Sequence, residues 1–487
     1  MKKISIDPIT RLEGHGRIDM FLDDSGKLAN AYFIVPELRG FEKFCEGRPV
    51  EELMILTPRI CGVCPTSHHL ASAKAADAVY HCEIPSVAKK LRELMNSAYF
   101  VADHTTHFYA LGGPDFVVGP DAPKAERNIL GVVKKVGLEI GGRVIRQRAI
   151  CHEVVSMLGG KYVHPSAATV GGTGKGLSEE ERKKCQEIAE ESVEFGKFSL
   201  KVFNDIVLAN KAYVDLITSD AYTIKTYYMG LVDEKNKVNF YEGKIRVVDP
   251  EGKEFSKFEA KDYLNHIVEG VEPWTYLKFP YLKSIGWKGI VDGKDSGMYR
   301  VAPLARLNAA DGMATPLAQE EYQKMYETLG GKPVHFTLAN HWARLVELLY
   351  AAERFLELTK DPEITDPNTR VIPTAKPDEG VGVVEAPRGT LFHHYQTDER
   401  GVTQKVNLIV ATINNHAAIS LSIKKAAAGL IKGGKEVSDG ILNMIEMAFR
   451  AYDPCFGCAT HFLPGEMPIE IKIFDSNRKL VNIVKRD

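Results

Sequence analysis

The sequence predicts an α+β fold that is mainly α, with a central bundle of long helices and antiparallel sheets at its periphery. Helical periodicity dominates residues 86–110, 123–158, 178–215, 337–359, 403–431 and 436–450. Several of these stretches exceed about twenty residues and are longer than the usual helix. Strand-like alternation of apolar and polar residues occupies the front of the chain. Cys-x-x-Cys pairs near both ends indicate one interlocked body over 1–487, because a shared site would join the two ends.

Residues 1–35 are predicted to form an N-terminal antiparallel sheet. Arg17–Leu22 alternates in the manner of a strand, a turn follows at Asp23–Gly26, and a second strand covers Ala29–Ile34. After the first cysteine pair, the small residues of Leu70–Ala78 favour a helix that packs closely against its neighbours.

Two later segments also predict strands. Residues 216–300 are rich in lysine, aspartate and glycine, and Lys244–Lys253 has the pattern of a hairpin, so we expect an inserted small sheet on the surface. The tail, residues 462–487, contains an alternating Ile469–Phe474, a turn, and then Leu480–Val484, which predicts a second hairpin.

Composition narrows the possible partners. The formal net charge of −2, with 26% charged residues, gives no basic footprint for nucleic acid. No run of about eighteen apolar residues occurs, and the first residues lack the apolar core of an export signal, so we expect no membrane span and a cytoplasmic location. Eight cysteines in 487 residues are too few for a disulfide scaffold. The cysteines outside the two pairs are expected to be buried core thiols: Cys45, Cys82, Cys151 and Cys185.

Two short motifs carry the chemistry. Arg59–His68 reads RICGVCPTSH and Asp453–His461 reads DPCFGCATH, so each holds a Cys-x-x-Cys pair followed by a histidine. Thiolates are soft ligands that select zinc, iron and nickel-like metals. Zinc ribbons keep their pairs within tens of residues, whereas almost the whole chain separates these. A four-cysteine zinc tether and a catalytic metal centre both remain open on spacing alone.

Other motifs favour structural roles. Gly330–Pro333 fits neither a Walker motif nor a dinucleotide fingerprint, and the glycines of Gly380–Glu385 run into a proline instead of a helix, so we predict no nucleotide site. His104 and His107 lie three apart on a predicted helix, and we interpret them as packed or hydrogen-bonded histidines rather than ligands of a separate metal.

The flanks of the two cysteine pairs resemble the large, catalytic subunit of nickel-iron hydrogenases, which carries R-x-C-G-x-C-x-x-x-H near its start and D-P-C-x-x-C-x-x-H near its end. Further matching segments follow in the same order along nearly the whole chain: Arg11–His15, Arg39–Glu42, His107–Tyr109, Pro114–Phe116, Gly160–Pro165 and Glu385–Gly389. The resemblance implies the hydrogenase large-subunit fold and reversible heterolytic cleavage of H2.

The resemblance also implies the metal ligands. Cys61 and Cys455 would be terminal nickel ligands, and Cys64 and Cys458 would bridge nickel to an iron that also carries carbon monoxide and cyanide. In the same family a magnesium-type ion is bound by the residues that match Glu42 and His461. Carboxylate oxygen is a hard donor suited to such an ion.

Catalytic roles follow from the same resemblance. Glu13 would be the first proton-transfer group, and Cys455 or Arg388 would take the proton from hydrogen. The Arg388 guanidinium would lie over the metals, held by Asp115 and Asp453, because a buried unpaired charge is prohibitive. His68 would hydrogen-bond a bridging thiolate. These residues are the expected catalytic set: Glu13, Asp115, Arg388, Asp453 and Cys455.

No further iron-sulfur ligand set is evident in the sequence, so the electrons would leave through an iron-sulfur small subunit. The resemblance is to the cytoplasmic, cofactor-linked type, which implies flavin and iron-sulfur subunits that reduce NAD(P). It further implies nickel-insertion factors and a maturation endopeptidase that removes the tail after His461. Two alternatives stay in view: a zinc-tethered structural protein, and a scaffold subunit related to the large subunit of respiratory complex I, against which the four cysteines count.

Overall fold

The computed structural model describes residues 2–433, 436–462 and 469–486. The helices are α1 (Phe41–Cys45), α2 (Val50–Leu56), α3 (Pro65–Val79), α4 (Ser86–Thr106), α5 (Gly113–Val117), α6 (Ile129–Val136), α7 (Leu138–Gly159), α8 (Glu179–Phe203), α9 (Lys211–Ile217), α10 (Ala302–Ala309), α11 (Pro316–Thr328), α12 (Asn340–Lys360), α13 (Ala411–Asn414), α14 (His416–Leu430), α15 (Asp439–Arg450) and α16 (Phe456–Ala459). None of these helices is both long and apolar enough to cross a membrane.

The strands are β1 (Lys2–Ile6), β2 (Arg17–Leu22), β3 (Leu28–Ile34), β4 (Ala168–Thr169), β5 (Gly172–Thr173), β6 (Tyr227–Val232), β7 (Lys244–Val248), β8 (Glu254–Phe258), β9 (Ile267–Gly270), β10 (Phe279–Leu282), β11 (Tyr299–Arg300), β12 (Glu379–Ala386), β13 (Gly389–Thr397), β14 (Thr403–Ile409), β15 (Ile469–Phe474) and β16 (Leu480–Arg486). Their sheet orders are β1-β2-β3, β4-β5, β11-β6-β7-β8, β10-β9, β12-β13-β14 and β15-β16. The pairs are antiparallel except β11 with β6.

Four long helices, α4, α7, α8 and α12, form the centre of the molecule. Helix α12 packs on both α8 and α4, and α7 packs on α4. Most residues of α12 are buried, including the charged Arg344 and Glu347, so this helix lies in the core. Helix α8 begins at a capping box, in which Ser178 and Glu181 each accept from the other's backbone N–H. The predicted α+β fold with a central helical bundle is confirmed.

Helix α3 and strand β12 approach each other closely. A Cβ atom on Gly382 would lie 2.2 Å from the carbonyl oxygen of Ala71 and 2.3 Å from the backbone nitrogen of Ala75. The partial glycine fingerprint of β12 therefore serves helix-on-sheet packing, since only glycine leaves room for the helix backbone. Because α3 starts directly after Cys64, this packing also fixes one end of the first cysteine motif.

The helix predicted over 403–431 is wrong in its first part. Residues Thr403–Ile409 form β14, which pairs antiparallel with β13, and helix begins only after them. In the same way, the helix predicted over 123–158 starts at Ile129 and breaks at Gly137 between α6 and α7. Both errors arise because a short apolar strand or loop next to a helix extends the apparent helical period.

The inner strands of the sheet formed by residues 216–300 are buried and do not lie on the surface. Every residue of β6 is buried, and β7 is buried apart from its first residue. Helix α10 packs on β6, with the backbone and side chain of Arg306 filling the space above Gly230. The expected surface position is therefore wrong, because the rich charge of this segment lies in its turns and outer strand.

The tail hairpin predicted from alternation is present as β15 and β16. Residues 463–468 and 487 of the predicted tail lie outside the described residues. The apolar side chains from Ile473 to Val484 are exposed. Hydrophobic side chains that contact water in this way contribute little to stability, so the tail adds little to the core.

The two ends of the chain meet through backbone pairing. Residues Glu13 and Cys455 form an isolated parallel bridge, in which the Phe456 N–H donates to the Glu13 carbonyl oxygen at 3.0 Å. A second contact follows, since the Glu42 N–H donates to the carbonyl oxygen of His461 at 3.0 Å. The second cysteine motif is therefore held against the N-terminal segment by main-chain hydrogen bonds.

Candidate metal centre

Four sulfur atoms from opposite ends of the chain converge in the core. The Sγ atoms of Cys61, Cys64, Cys455 and Cys458 all lie within 4.8 Å of one another. Cys61 is 3.2 Å from Cys455, and Cys64 is 2.7 Å from Cys458. In the described ranges, no other group of three or more histidine, cysteine or acidic side chains gathers in this way.

The local backbone sets this arrangement. Cys61 ends a short turn of helix, and Cys64 stands at the N-terminus of α3, where Pro65 occupies the first helical position without an N–H to lose. Cys455 and Cys458 bracket the first turn of α16. The backbone N–H of Cys455 donates to the Thr412 hydroxyl at 3.0 Å, which fixes the start of that turn.

The thiol cluster is suited to a cationic metal. Burial raises the pKa of Cys455 and Cys458 well above the ordinary thiol value, because a thiolate loses its hydration in the core. A bound cation reverses that preference and keeps thiols deprotonated. Four convergent sulfurs form a soft donor set that fits nickel, iron or zinc.

The carboxylate of Glu13 lies against the cluster. Its Oε2 accepts from the Cys455 thiol at 3.0 Å and from the Gly457 N–H at 2.7 Å. Burial, together with the nearby charge of Cys61, raises the pKa of Glu13. A Cβ atom at Gly457 would lie 2.4 Å from the same carboxylate, so glycine at this position makes the contact possible.

The Arg388 guanidinium is buried beside the sulfurs and paired with two acids. Its Nη1 lies 3.1 Å from Asp103 and its Nη2 lies 2.8 Å from Asp453. Burial raises the pKa of Asp453 to about 7, although the charge of Arg388 opposes the shift. Asp103 also accepts from the Tyr99 hydroxyl at 3.1 Å. The ion pairs hold Arg388 in one orientation over the cysteines.

The expected partnership of Asp115 with Arg388 is wrong. Asp115 instead contacts Arg11 and accepts from Asn443 at 3.1 Å and from Arg450 at 3.3 Å. Burial alone would raise the pKa of Asp115, but the charges of Arg450 and Arg11 outweigh it and lower the pKa. The described partners of Asp115 are therefore Arg11, Arg450 and Asn443, whereas Arg388 pairs with other acids.

Sequence reasoning missed Asp103, which takes the place expected of Asp115. Asp103 lies near the end of α4, directly after the apolar run Tyr99–Ala102 and one turn before His107. An acid within a buried helical stretch signals an internal ion pair, because buried carboxylates are seldom left unpaired. That signal was available in the sequence, but it does not reveal which cation is the partner.

His68 joins the cluster to a buried chain of hydrogen bonds. Its Nε2 is 3.4 Å from the sulfur of Cys458, and its Nδ1 is 3.1 Å from Nε2 of His393. The other nitrogen of His393 is 2.6 Å from the Tyr395 hydroxyl, which donates to Ser72 at 2.8 Å. Burial lowers the pKa of His68 to about 4, so the ring is neutral at physiological pH. His393, absent from the predicted set, orients His68.

His104 and His107 are hydrogen-bonded side chains in the core, as the sequence interpretation predicts. His104 Nε2 is 3.1 Å from Glu347, and His107 Nε2 donates to the carbonyl oxygen of Arg450 at 2.8 Å. Among the remaining cysteines, Cys45, Cys151 and Cys185 are buried as expected, whereas Cys82 is partly exposed.

Glu42 and His461 meet at a second site behind the cysteines. His461 Nε2 lies 3.5 Å from the Glu42 carboxylate and 2.6 Å from the carbonyl oxygen of Leu408. The Leu408 N–H also donates to Glu42 at 2.8 Å. Burial would raise the pKa of Glu42, but hydrogen bonding and charge from His461 lower it. The Leu408 carbonyl was not predicted, because a backbone oxygen carries no sequence signal.

The fold and this site define the large subunit of a nickel-iron hydrogenase. A family model described as nickel-dependent hydrogenase matches residues 39–134 and 143–461, and a model described as HoxL-like matches residues 3–38. The chain belongs to the nickel-dependent hydrogenase family, as its catalytic large subunit with a nickel-iron centre at the four cysteines.

Similar proteins match this chain over nearly its full length. An F420-non-reducing hydrogenase iron-sulfur subunit of Archaeoglobus profundus is 50% identical over 485 residues, covering 100% of both chains. The NAD-reducing hydrogenase HoxS subunit beta of Cupriavidus necator is 37% identical and covers 99% of both chains. A solved NAD+-reducing nickel-iron hydrogenase in the H2-reduced state is 35% identical, with a TM-score of 0.89 over 95% of this chain and 100% of that chain.

The two buried aspartates generate a test. Asp103→Asn should lower hydrogen-dependent dye reduction roughly 10²-fold, because a misplaced guanidinium disturbs the site geometry, while nickel content and melting temperature change little. Asp115→Asn should instead destabilise the fold by about 3 kcal/mol, because Arg11 loses its anionic partner and the buried Arg450 keeps only Glu446. Metal analysis, thermal unfolding and turnover are measured on both variants. Lost turnover with unchanged stability in Asp115→Asn would contradict the assignment.

Proposed function

We propose a division of labour among the residues around the metals. The observation that carries the proposal is the convergence of four buried sulfurs with the Glu13 carboxylate and the Arg388 guanidinium. A structural zinc tether needs neither a buried proton carrier nor a buried cation at its sulfurs. A scaffold subunit would not need the four thiols. Neither alternative therefore explains why Glu13 and Arg388 are placed beside the sulfurs.

The four cysteines divide between the two metals. Cys61 and Cys455 would hold nickel as terminal ligands, Cys64 and Cys458 would hold both nickel and iron, and carbon monoxide and cyanide would complete the iron site. When bound, this centre supplies the position at which H2 is cleaved heterolytically. His68 Nε2 lies 3.4 Å from the sulfur of Cys458, which supports a hydrogen bond from this ring to a bridging thiolate.

Cys455 and Glu13 move the proton. The Cys455 thiol already donates to Glu13 Oε2 at 3.0 Å, so a proton on that sulfur has a direct acceptor. Glu13 is only partly buried and therefore connects the cluster with the outside. Arg388, fixed by Asp103 and Asp453, is the second group that can receive a proton or hold charge near the metals.

A magnesium-type ion is held by Glu42, His461 and the Leu408 carbonyl. His461 Nε2 lies 2.6 Å from the Leu408 carbonyl oxygen and 3.5 Å from the Glu42 carboxylate, so one nitrogen and two hard oxygen donors lie close together. His461 Nδ1 is 2.6 Å from the carbonyl oxygen of Cys458, so the ion would support the second cysteine motif from behind.

The tail after His461 is removed on maturation from the single body formed by the rest of the chain. Nickel-insertion factors and an endopeptidase would act before the mature end is formed. The exposed apolar residues of β15 and β16 support this view, because they add little buried surface to the folded body. His461 itself is buried and becomes the new C-terminal residue.

Electrons leave to an iron-sulfur small subunit that covers the first cysteine motif. Cys61 and Cys64 are buried, but Val63 between them is 39% exposed, so the centre comes close to the surface here. The Val63 carbonyl accepts from Tyr99 of α4, on which α7 packs. Close approach to the metals is what an electron-accepting partner requires.

An apolar stripe on α7 extends this face. Leu138 and Ile145 are 84% and 68% exposed and lie seven residues apart, so they share one side of the helix with His152. The ring of His152 stacks on the half-exposed Tyr162 at 4.7 Å. Contiguous exposed apolar residues mark interaction sites, and the small subunit is the partner we assign to this stripe.

The final electron acceptor has two candidates. NAD(P), reached through flavin and iron-sulfur subunits, is supported by the similarity to the NAD-reducing enzymes. An acceptor other than F420 is supported by the higher identity to the Archaeoglobus profundus protein. Hydrogen-dependent reduction of NAD+, NADP+ and F420 by the purified complex distinguishes them. We place the complex in the cytoplasm.

Metal analysis combined with the mass of the C-terminus tests the function. The isolated processed large subunit should contain nickel and iron in equal amounts and end at His461, and its complex with the iron-sulfur subunit should reduce a dye with hydrogen. Protein made without nickel should retain residues 462–487. Zinc as the sole metal, with no activity, would contradict the assignment.

Replacing Glu13 tests the proton route. Glu13→Gln preserves the shape of the side chain but removes its ability to carry a proton, so H2 oxidation should fall roughly 10²-fold or more, with nickel and iron retained. Glu37→Gln is the matched control, because Glu37 contacts the exposed His15 away from the cysteines. Wild-type turnover in Glu13→Gln would exclude this route.

Charge on the α7 stripe tests the interface. Ile145→Glu, alone or with Leu138→Glu, should abolish copurification of the small subunit, since a carboxylate would be desolvated on binding. Leu264→Glu, at a 50% exposed leucine elsewhere, should leave copurification unchanged. Retention of the small subunit by both α7 variants would place the partner on another face.

A further inference from the structure

Ser67 is a buried hydroxyl beside the four cysteines. It is 0% exposed and lies on α3, three residues after Cys64 and therefore on the same side of the helix. Ser67 lines a small cavity together with Arg388, Thr412 and three of the cysteines, which are Cys64, Cys455 and Cys458. Ser67 is neither a proposed metal ligand nor a member of the proposed proton route.

The Ser67 hydroxyl has no hydrogen-bond partner among the described residues. A serine within a helix usually donates to the carbonyl four residues earlier, which here belongs to Val63. The Val63 carbonyl lies 3.2 Å from the Tyr99 hydroxyl, and the Ser67 hydroxyl makes no hydrogen bond to it. Buried hydroxyls are nearly always hydrogen-bonded, so the donor of Ser67 is expected to serve an acceptor in the cavity it lines.

We propose that Ser67 is a positioning residue that donates a hydrogen bond to the nitrogen of an iron-bound cyanide. The inference rests on the proposed function, in which Cys64 bridges to iron and the iron carries cyanide. Cyanide is anionic and presents a lone pair at its outer atom, so the hydrogen bond is charge-assisted. The oxygen of carbon monoxide is a much weaker acceptor and offers the hydroxyl little.

The neighbouring Thr66 provides a matched control. Its hydroxyl is also fully buried, lies on the same helix and lacks a partner among the described residues. Thr66 does not line the cavity at the cysteines. A general effect of losing a buried hydroxyl from α3 would therefore appear on substitution of either residue. The loss of a hydrogen bond to cyanide would appear only on substitution of Ser67.

Infrared spectroscopy of the mature complex measures the bond directly. A hydrogen bond to the cyanide nitrogen raises the C–N stretching frequency, so Ser67→Ala should shift one cyanide band to lower frequency, with a smaller shift of the carbon monoxide band. Ser67→Thr keeps the hydroxyl and should restore the wild-type band. Thr66→Ala should leave the bands unchanged. Nickel and iron contents should equal those of the wild type in all three variants.

The possible results distinguish a failure of the proposed iron ligands from a failure of the role of Ser67. If wild-type protein shows no cyanide or carbon monoxide bands, the proposed iron ligands fail, and the role of Ser67 fails with them. If the wild-type bands are present but Ser67→Ala leaves them in place, the role of Ser67 alone is overturned. Equal shifts in Ser67→Ala and Thr66→Ala would also overturn it.

Discussion

The structure depends on the pairing of the two chain ends around four sulfurs. Main-chain hydrogen bonds between Glu13 and Phe456, and between Glu42 and His461, hold the second cysteine motif against the N-terminal segment. Thiols that share such a small volume repel one another once they are deprotonated, so the site needs a rigid frame and a cation. The same bonds that close the site also bring the Glu13 carboxylate to Cys455.

Buried ion pairs provide much of that frame. Arg388 is fixed by Asp103 and Asp453, and a separate set joins Arg306 to Glu347 and Glu385 with side chains that are fully buried. Burying charges costs free energy that pairing offsets only when the geometry is good. Such pairs are therefore more informative about orientation than about stability. They fix arginines in single positions near a centre that must move protons and electrons.

Backbone conformation contributes as well. Asp453 has a φ of 56°, an uncommon value for a residue other than glycine. Strained positions of this kind concentrate at functional sites, where the surrounding structure holds them. Here the conformation lets one residue pair with Arg388 while its second neighbour along the chain, Cys455, points into the sulfur cluster. The backbone conformation two residues before Cys455 therefore helps to fix the geometry of the second cysteine motif.

The sequence by itself determined the cysteine motifs, the long helices and the terminal hairpins, because these depend on local spacing and on periodicity along one segment. It also indicated that Glu13, Arg388 and Asp453 belong to the site, through the motifs that contain them. Only the tertiary structure decided that Asp103 and not Asp115 pairs with Arg388, that Leu408 contributes a carbonyl oxygen beside Glu42, and that β14 is a strand. Each of these depends on which distant segment packs opposite, and partner choice across a core leaves no periodic signal in either segment.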